Sequence, residues 1–166
     1  MSERKIKNLV RGHPAVDGAG VHLVRVLGLR TVKDFDPFLM LDSFDSTNPD
    51  DYIKGFPLHP HRGIETITYL IEGEIDHMDS LGNKGRIGPG QSQWMTAGSG
   101  ILHQEMPQAS PRMLGLQLWQ NPPQAEKMCE PQYFDITLDL VGEASTDTAD
   151  VRGMSGAVNG AESTTP

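Results

Sequence analysis

Two tripeptides, His59-Pro60-His61 and His103-Gln104-Glu105, each place two good metal ligands at positions i and i+2. On a β-strand successive side chains alternate between faces, so each pair points to one side of its strand. If those strands lie together, three imidazoles and one carboxylate converge on a single point. That donor set suits a divalent transition metal, iron foremost, with manganese, nickel, cobalt and copper as alternatives that affinity order alone does not separate.

Either pair alone is ordinary: a histidine beside a proline in a loop, or a strand with its polar face in water. Together they say more. About forty residues of strand-like sequence separate them, both keep in-register spacing, and a carboxylate adds a hard donor to three imidazoles. A structural zinc site usually contains thiolates, and the chain has one cysteine, Cys129. Four ligands leave positions open on an octahedral ion for a substrate or dioxygen. Three neutral imidazoles, one carboxylate and a divalent ion sum to about +1, which favours an anionic oxygen such as an enolate or phenolate. Pro60 cannot donate to a ladder, so its strand belongs at a sheet edge or a barrel mouth.

The elements that must position these residues read as short strands. Val21–Leu27 alternates, with His22 and Arg25 outward, and Pro37–Phe44 is nearly all apolar and reads as buried on both faces. Glu65–Glu72 and Ile75–Asp79 form a hairpin about Gly73. Residues 91–96, 101–106, 114–119 and 130–138 complete about eight strands, and Leu114, Leu116 and Leu118 share one face. His13, in a Gly-His-Pro loop, and His77, on the hairpin, read as solvated. Trp94, Met95 and Met106 read as core, and Phe56 and Pro57 as candidate pocket walls. Gln91, Gln93 and Gln104 are candidates for fixing an imidazole tautomer.

At 166 residues the chain is about one domain, and 18 glycines with 12 prolines and no helical periodicity point to an all-β barrel or sandwich. The net charge of −8 and the absence of a basic stripe exclude direct binding to nucleic acid through phosphates. No run approaches the roughly 20 apolar residues that span a bilayer, and no apolar leader opens the chain. With its single cysteine, the sequence reads as cytoplasmic. After Leu140 the composition turns to Gly, Ala, Ser, Thr and Asp. Residues 1–140 therefore read as one domain, and 141–166 as a linker-like or poorly ordered tail.

Residues 56–73 (FPLHPHRGIETITYLIEG) resemble the first cupin motif of the pirin family, and residues 93–107 (QWMTAGSGILHQEMP) resemble its second. DPFLMLD at 36–42, GLQLW at 115–119 and EPQY at 130–133 fit as well, so the resemblance runs from about residue 4 to about residue 138. It implies a single cupin barrel (a double-stranded β-helix, or jelly roll) with a flexible C-terminal tail. It implies iron(II) at His59, His61, His103 and Glu105, with Glu105 as ligand or momentary catalytic base. The implied activity is that of a quercetin 2,3-dioxygenase, which opens a flavonol with O₂. The alternative within the same family is a non-catalytic, iron-dependent transcriptional co-regulator that senses redox state. Pirins carry a second barrel, which is not expected here, and residues 150–160 resemble the region between the two. An uncovered apolar face then implies a homodimer or a protein partner.

Overall fold

The computed structural model describes residues 5–158 and 160–165. Its strands, in chain order, are β1 His13–Asp17, β2 Val21–Leu27, β3 Phe38–Ser46, β4 Phe56–His61, β5 Glu65–Glu72, β6 Ile75–Asp79, β7 Lys84–Ile87 and β8 Ser92–Thr96. They continue with β9 Ile101–Pro107, β10 Met113–Gln120, β11 Gln132–Ile136, β12 Gly142–Ser145, β13 Asp150–Gly153, β14 Ala157–Val158 and β15 Ala161–Glu162. Among the described residues a single 3₁₀ turn, Pro49–Asp51, is capped by the Asn48 side chain. None of the described helices is long and apolar enough to cross a membrane.

Two antiparallel sheets face each other. The larger has the order β1-β2-β3-β10-β5-β8-β11 and the smaller β4-β9-β6-β7. This is the all-β cupin barrel expected from sequence, and β4 lies at an edge, where the missing N–H of Pro60 costs nothing. The strands form because β-branched and aromatic residues alternate: Thr66, Thr68 and Leu70 of β5 are buried while Glu65, Ile67 and Tyr69 are half-buried.

The interior is layered. One apolar cluster joins Val21, Leu23, Phe44, Leu70, Ile75, Ile87 and Met113, and a second joins Met95, Ala97 and Ile101. Between them runs a polar row in register across the larger sheet: Arg25, Asp42, Gln117, Thr68, Gln93 and Asp135. Such a row is tolerated in a core only where its members bond one another or a ligand.

The structure departs from the sequence reading in several places, and Trp94 and Met106, read as core, are half-buried. β3 buries Met40, Asp42 and Phe44 but leaves its other face half-exposed; an apolar composition does not distinguish a fully buried strand from one on an apolar outer face. Leu114, Leu116 and Leu118 share one face of β10, as expected; it is the outer face, and the buried side carries Met113, Gly115 and Gln117. Within the stretch that is linker-like in composition, Gly142–Ser145 pairs with Asp150–Gly153 as β12–β13 and Ala157–Val158 with Ala161–Glu162 as β14–β15. Their small polar residues close the turns: Ser145 Oγ donates to Asp150, and Ser163 Oγ to the Leu140 carbonyl at 3.0 Å.

Candidate metal centre

Strand pairing makes the centre. β4 runs antiparallel to β9 with His59 opposite His103 and Phe56 opposite Glu105, a bulge lying between the two pairs. The side-chain period of two then carries His61 to the side of the sheet that His59 and His103 face. Ring centroids are 4.7 Å apart for His59 and His61, 4.4 Å for His59 and His103, and 4.9 Å for His61 and His103. One nitrogen from each lies within 4.8 Å of the other two.

The ring protons can be assigned from the partners. His59 Nδ1 lies 2.8 Å from the Pro57 carbonyl, which only accepts, so Nδ1 carries the hydrogen and Nε2 presents a lone pair. That Nε2 is 3.0 Å from His61 Nε2. His103 is 1% exposed and neither ring nitrogen has a hydrogen-bond partner. Burial, reinforced by the neighbouring imidazoles His103 and His59, pushes His61 down to about 4. Burial, with His59 and His77, pushes His103 down to about 3. Both therefore stay neutral at pH 7, the state in which an imidazole ligates a metal.

Glu105 stands beside the triad but outside that compact group. Its carboxylate, 5% exposed, is held by two donors: Thr68 Oγ1 to Oε1 at 2.9 Å and Gln117 Nε2 to Oε2 at 2.7 Å. The sequence expects all four donors to converge, whereas here the polar row of the larger sheet draws the carboxylate toward itself. Its charge still acts on His61, opposing the depression of that imidazole.

The three named glutamines do not serve the imidazoles. The Gln91 side-chain Oε1 accepts from the Gly88 N–H, and both amide atoms of Gln93 are buried without a partner. Gln104 alternates away from His103 and Glu105 on β9. Sequence reasoning passed over Gln117, since a glutamine among leucines carries no ligand signature. His77 is not solvated: it is 4% exposed, stacked on Tyr133 at 4.0 Å, with its ring 5.4 Å from that of His103. The available signal was its i, i+2 spacing to Asp79, the same pattern as His59 and His61. His13 is exposed as expected, though it opens β1 rather than lying in a loop.

A cavity of about 330 Å³ opens beside the triad, lined by His59, His61, Glu105 and Gln117, with Met40, Phe56, Pro57 and Trp119 as apolar walls. Phe56 and Pro57 thus take the wall positions expected of them. Asp42, also in the wall and 2% exposed, is neutralised by Arg25, whose Nε and Nη2 reach its two oxygens at 2.9 and 2.8 Å. The same guanidinium holds Asp17 at the rim at 2.7 Å. Burial pushes Asp17 up, but its bonds from Arg25 and the Gly18 N–H prevail and hold it below the usual carboxylate range.

Two facing antiparallel sheets with a histidine triad at the mouth define a cupin with the donors of a divalent-metal site. The unpartnered nitrogens of His103 and the paired Nε2 atoms of His59 and His61 fit such an ion. The pirin family profile matches residues 20–120, and the chain belongs to that family. It is 56% identical over 144 residues, 86% of its own length, to a Pseudomonas aeruginosa protein provisionally named quercetin 2,3-dioxygenase. It superposes with TM-score 0.80 and 30% identity on a quercetin 2,3-dioxygenase from Acinetobacter baumannii, covering 95% of this chain and 58% of that one. A bacterial pirin from Escherichia coli, solved in complex with nickel(II), superposes with TM-score 0.56 and 29% identity over 75% of this chain and 53% of that one. The chain spans about half the length of the relatives it matches.

Proposed function

We propose that this chain is a metal-dependent dioxygenase of quercetin 2,3-dioxygenase type, with His59, His61, His103 and Glu105 as the ligands of iron(II). The observation that carries the reading is the imidazole triad, two of whose members, His59 and His61, open onto a cavity of about 330 Å³ with apolar walls. A flat aromatic ligand buries its rings against Met40, Phe56, Pro57 and Trp119 and turns its oxygens toward the imidazoles. When bound, the ion supplies Lewis-acid polarisation and a one-electron couple for O₂ chemistry.

The protein's own groups do the rest. Glu105 takes the proton of the flavonol hydroxyl at Oε2, the oxygen whose partner Gln117 also lines the cavity. Gln117 and Thr68 keep the carboxylate aimed while it gains and returns that proton. The Pro57 carbonyl holds the His59 ring in one tautomer. Met40, Phe56 and Trp119 displace water from the reacting face, which strengthens each polar contact there.

A second reading is a non-catalytic, metal-dependent co-regulator that docks a protein partner or a second copy. It is favoured by the outer face of the larger sheet, where Leu41, Leu118, Ile67, Trp94 and Phe134 stand level across five strands, all half-buried. The two readings separate on turnover. Protein loaded anaerobically with Fe²⁺ is mixed with quercetin and O₂, beside a His103→Ala control. Loss of quercetin that vanishes in the control supports the dioxygenase. No turnover by a sample proven to hold one iron per chain supports the regulator.

A further inference from the structure

We propose that His77 is the positioning residue of the metal centre, acting on His103 from behind. The proposal rests on reading the triad as a metal site and adds a residue that nothing in that reading requires. Across the smaller sheet the register sets His59, His103 and Asp79 side by side on β4, β9 and β6, with His77 opposite Glu105. The cavity lies on the His59 side of His103, and His77 with Asp79 lies on the other.

His77 is itself fixed by two neighbours. Tyr133, on the opposing sheet, stacks on its ring at 4.0 Å and an interplanar angle of 16°. Its Nε2 faces Asp79 Oδ2 at 3.4 Å, with both side chains almost wholly buried. Asp79 is pinned in turn by the Leu81 and Asn83 N–H groups and the Asn83 amide, at 2.9 to 3.0 Å. Opposite His77 on β7 is Gly85, where any Cβ would overlap Asp135 Oδ2 and Tyr133 Oη. Two polar side chains this deeply buried would be replaced by apolar ones if packing were their only task. Instead they back the one triad member that has no hydrogen-bond partner to hold its ring. In a metal site the orientation of a ligand imidazole is set by what packs and bonds behind it.

The test uses the full chain titrated with Co²⁺, which reports affinity and, through its visible absorption bands, ligand geometry. His77→Phe keeps a ring to stack on Tyr133 but loses the pair with Asp79. Tyr133→Leu leaves His77 intact but removes its support. Each variant is expected to weaken Co²⁺ binding about 10- to 100-fold and to shift the absorption bands, while Tyr133→Phe, which keeps the stack, behaves as wild type. If one variant does not fold, the other carries the test. Wild-type affinity and spectrum in whichever folded variant is measured would overturn the proposal. If the wild-type chain itself binds no Co²⁺, or binds it unchanged after His103→Ala, the metal-site reading fails instead.

Discussion

His59 Nε2 and His61 Nε2 point at each other across 3.0 Å while His59 Nδ1 is committed to the Pro57 carbonyl. A right angle between two bonds of about 2.1 Å to one ion gives the same separation. With no ion, one ring must turn its proton inward to bridge that gap. The contact therefore links metal affinity directly to the stability of the mouth of the barrel.

Adding Ni²⁺ or Co²⁺ is expected to raise the unfolding temperature of the wild-type chain, since an ion that binds only the folded state stabilises it by about 2.7 kcal/mol at 100 times its Kd. His59→Ala should abolish most of that rise, because it removes one donor and leaves His61 Nε2 unpaired. Differential scanning calorimetry with and without metal decides it; an equal rise in both proteins refutes the triad as the site.

The metal-free chain is expected to lose stability as pH falls from about 6.5 toward 4. His61 and His103 have an ordinary value of 6.5 when unfolded but about 4 and about 3 in the fold. Between those limits the unfolded chain binds protons that the folded chain excludes, so stability rises with pH and levels off above about 6.5. Urea midpoints at pH 5 and pH 7.5 give the slope, and replacing His103 with Asn should reduce it. A flat profile contradicts the burial of neutral imidazoles.

Gln117→Leu leaves Glu105 Oε2 without its donor in the interior. The cost of stranding one buried acceptor is about 1–3 kcal/mol, readable as a lower urea midpoint. In the Fe²⁺-loaded protein, quercetin turnover should fall further than binding does, because the carboxylate is no longer aimed. Unchanged turnover would remove Glu105 from the chemistry.

Arg25→Met strands Asp42, a carboxylate 2% exposed whose two oxygens both lean on that guanidinium. Breaking a buried pair by removing one member costs about 3–5 kcal/mol. Arg25→Met with Asp42→Leu should recover much of it, and a double-mutant cycle measures how much. If the single variant unfolds no earlier than wild type, the pair does not anchor the cavity wall.

Much of the centre was legible in the residues. Histidine and glutamate at i, i+2, a proline that demands an edge, and strands of alternating pattern lead to the triad and to the barrel. The stacking of Tyr133 on His77 was not legible. A histidine on a strand reads identically whether its face meets water or the opposing sheet, and only the stack between sheets removes the ambiguity. Leu116 shows the same limit in reverse, an apolar residue of a regular row that lies on the outer face.

The sequence by itself determined the donors, their spacing, the strands that carry them and the family. These are local properties, set by side-chain chemistry and the two-residue period of a strand. Only the tertiary structure decided that β4 lies against β9 across about forty residues of chain, that Asp79 lies opposite His103 and His77 opposite Glu105, and that Thr68 and Gln117 bind the Glu105 carboxylate. Those are contacts between strands remote in sequence, and they follow from how two sheets close around a core with a polar layer through its middle.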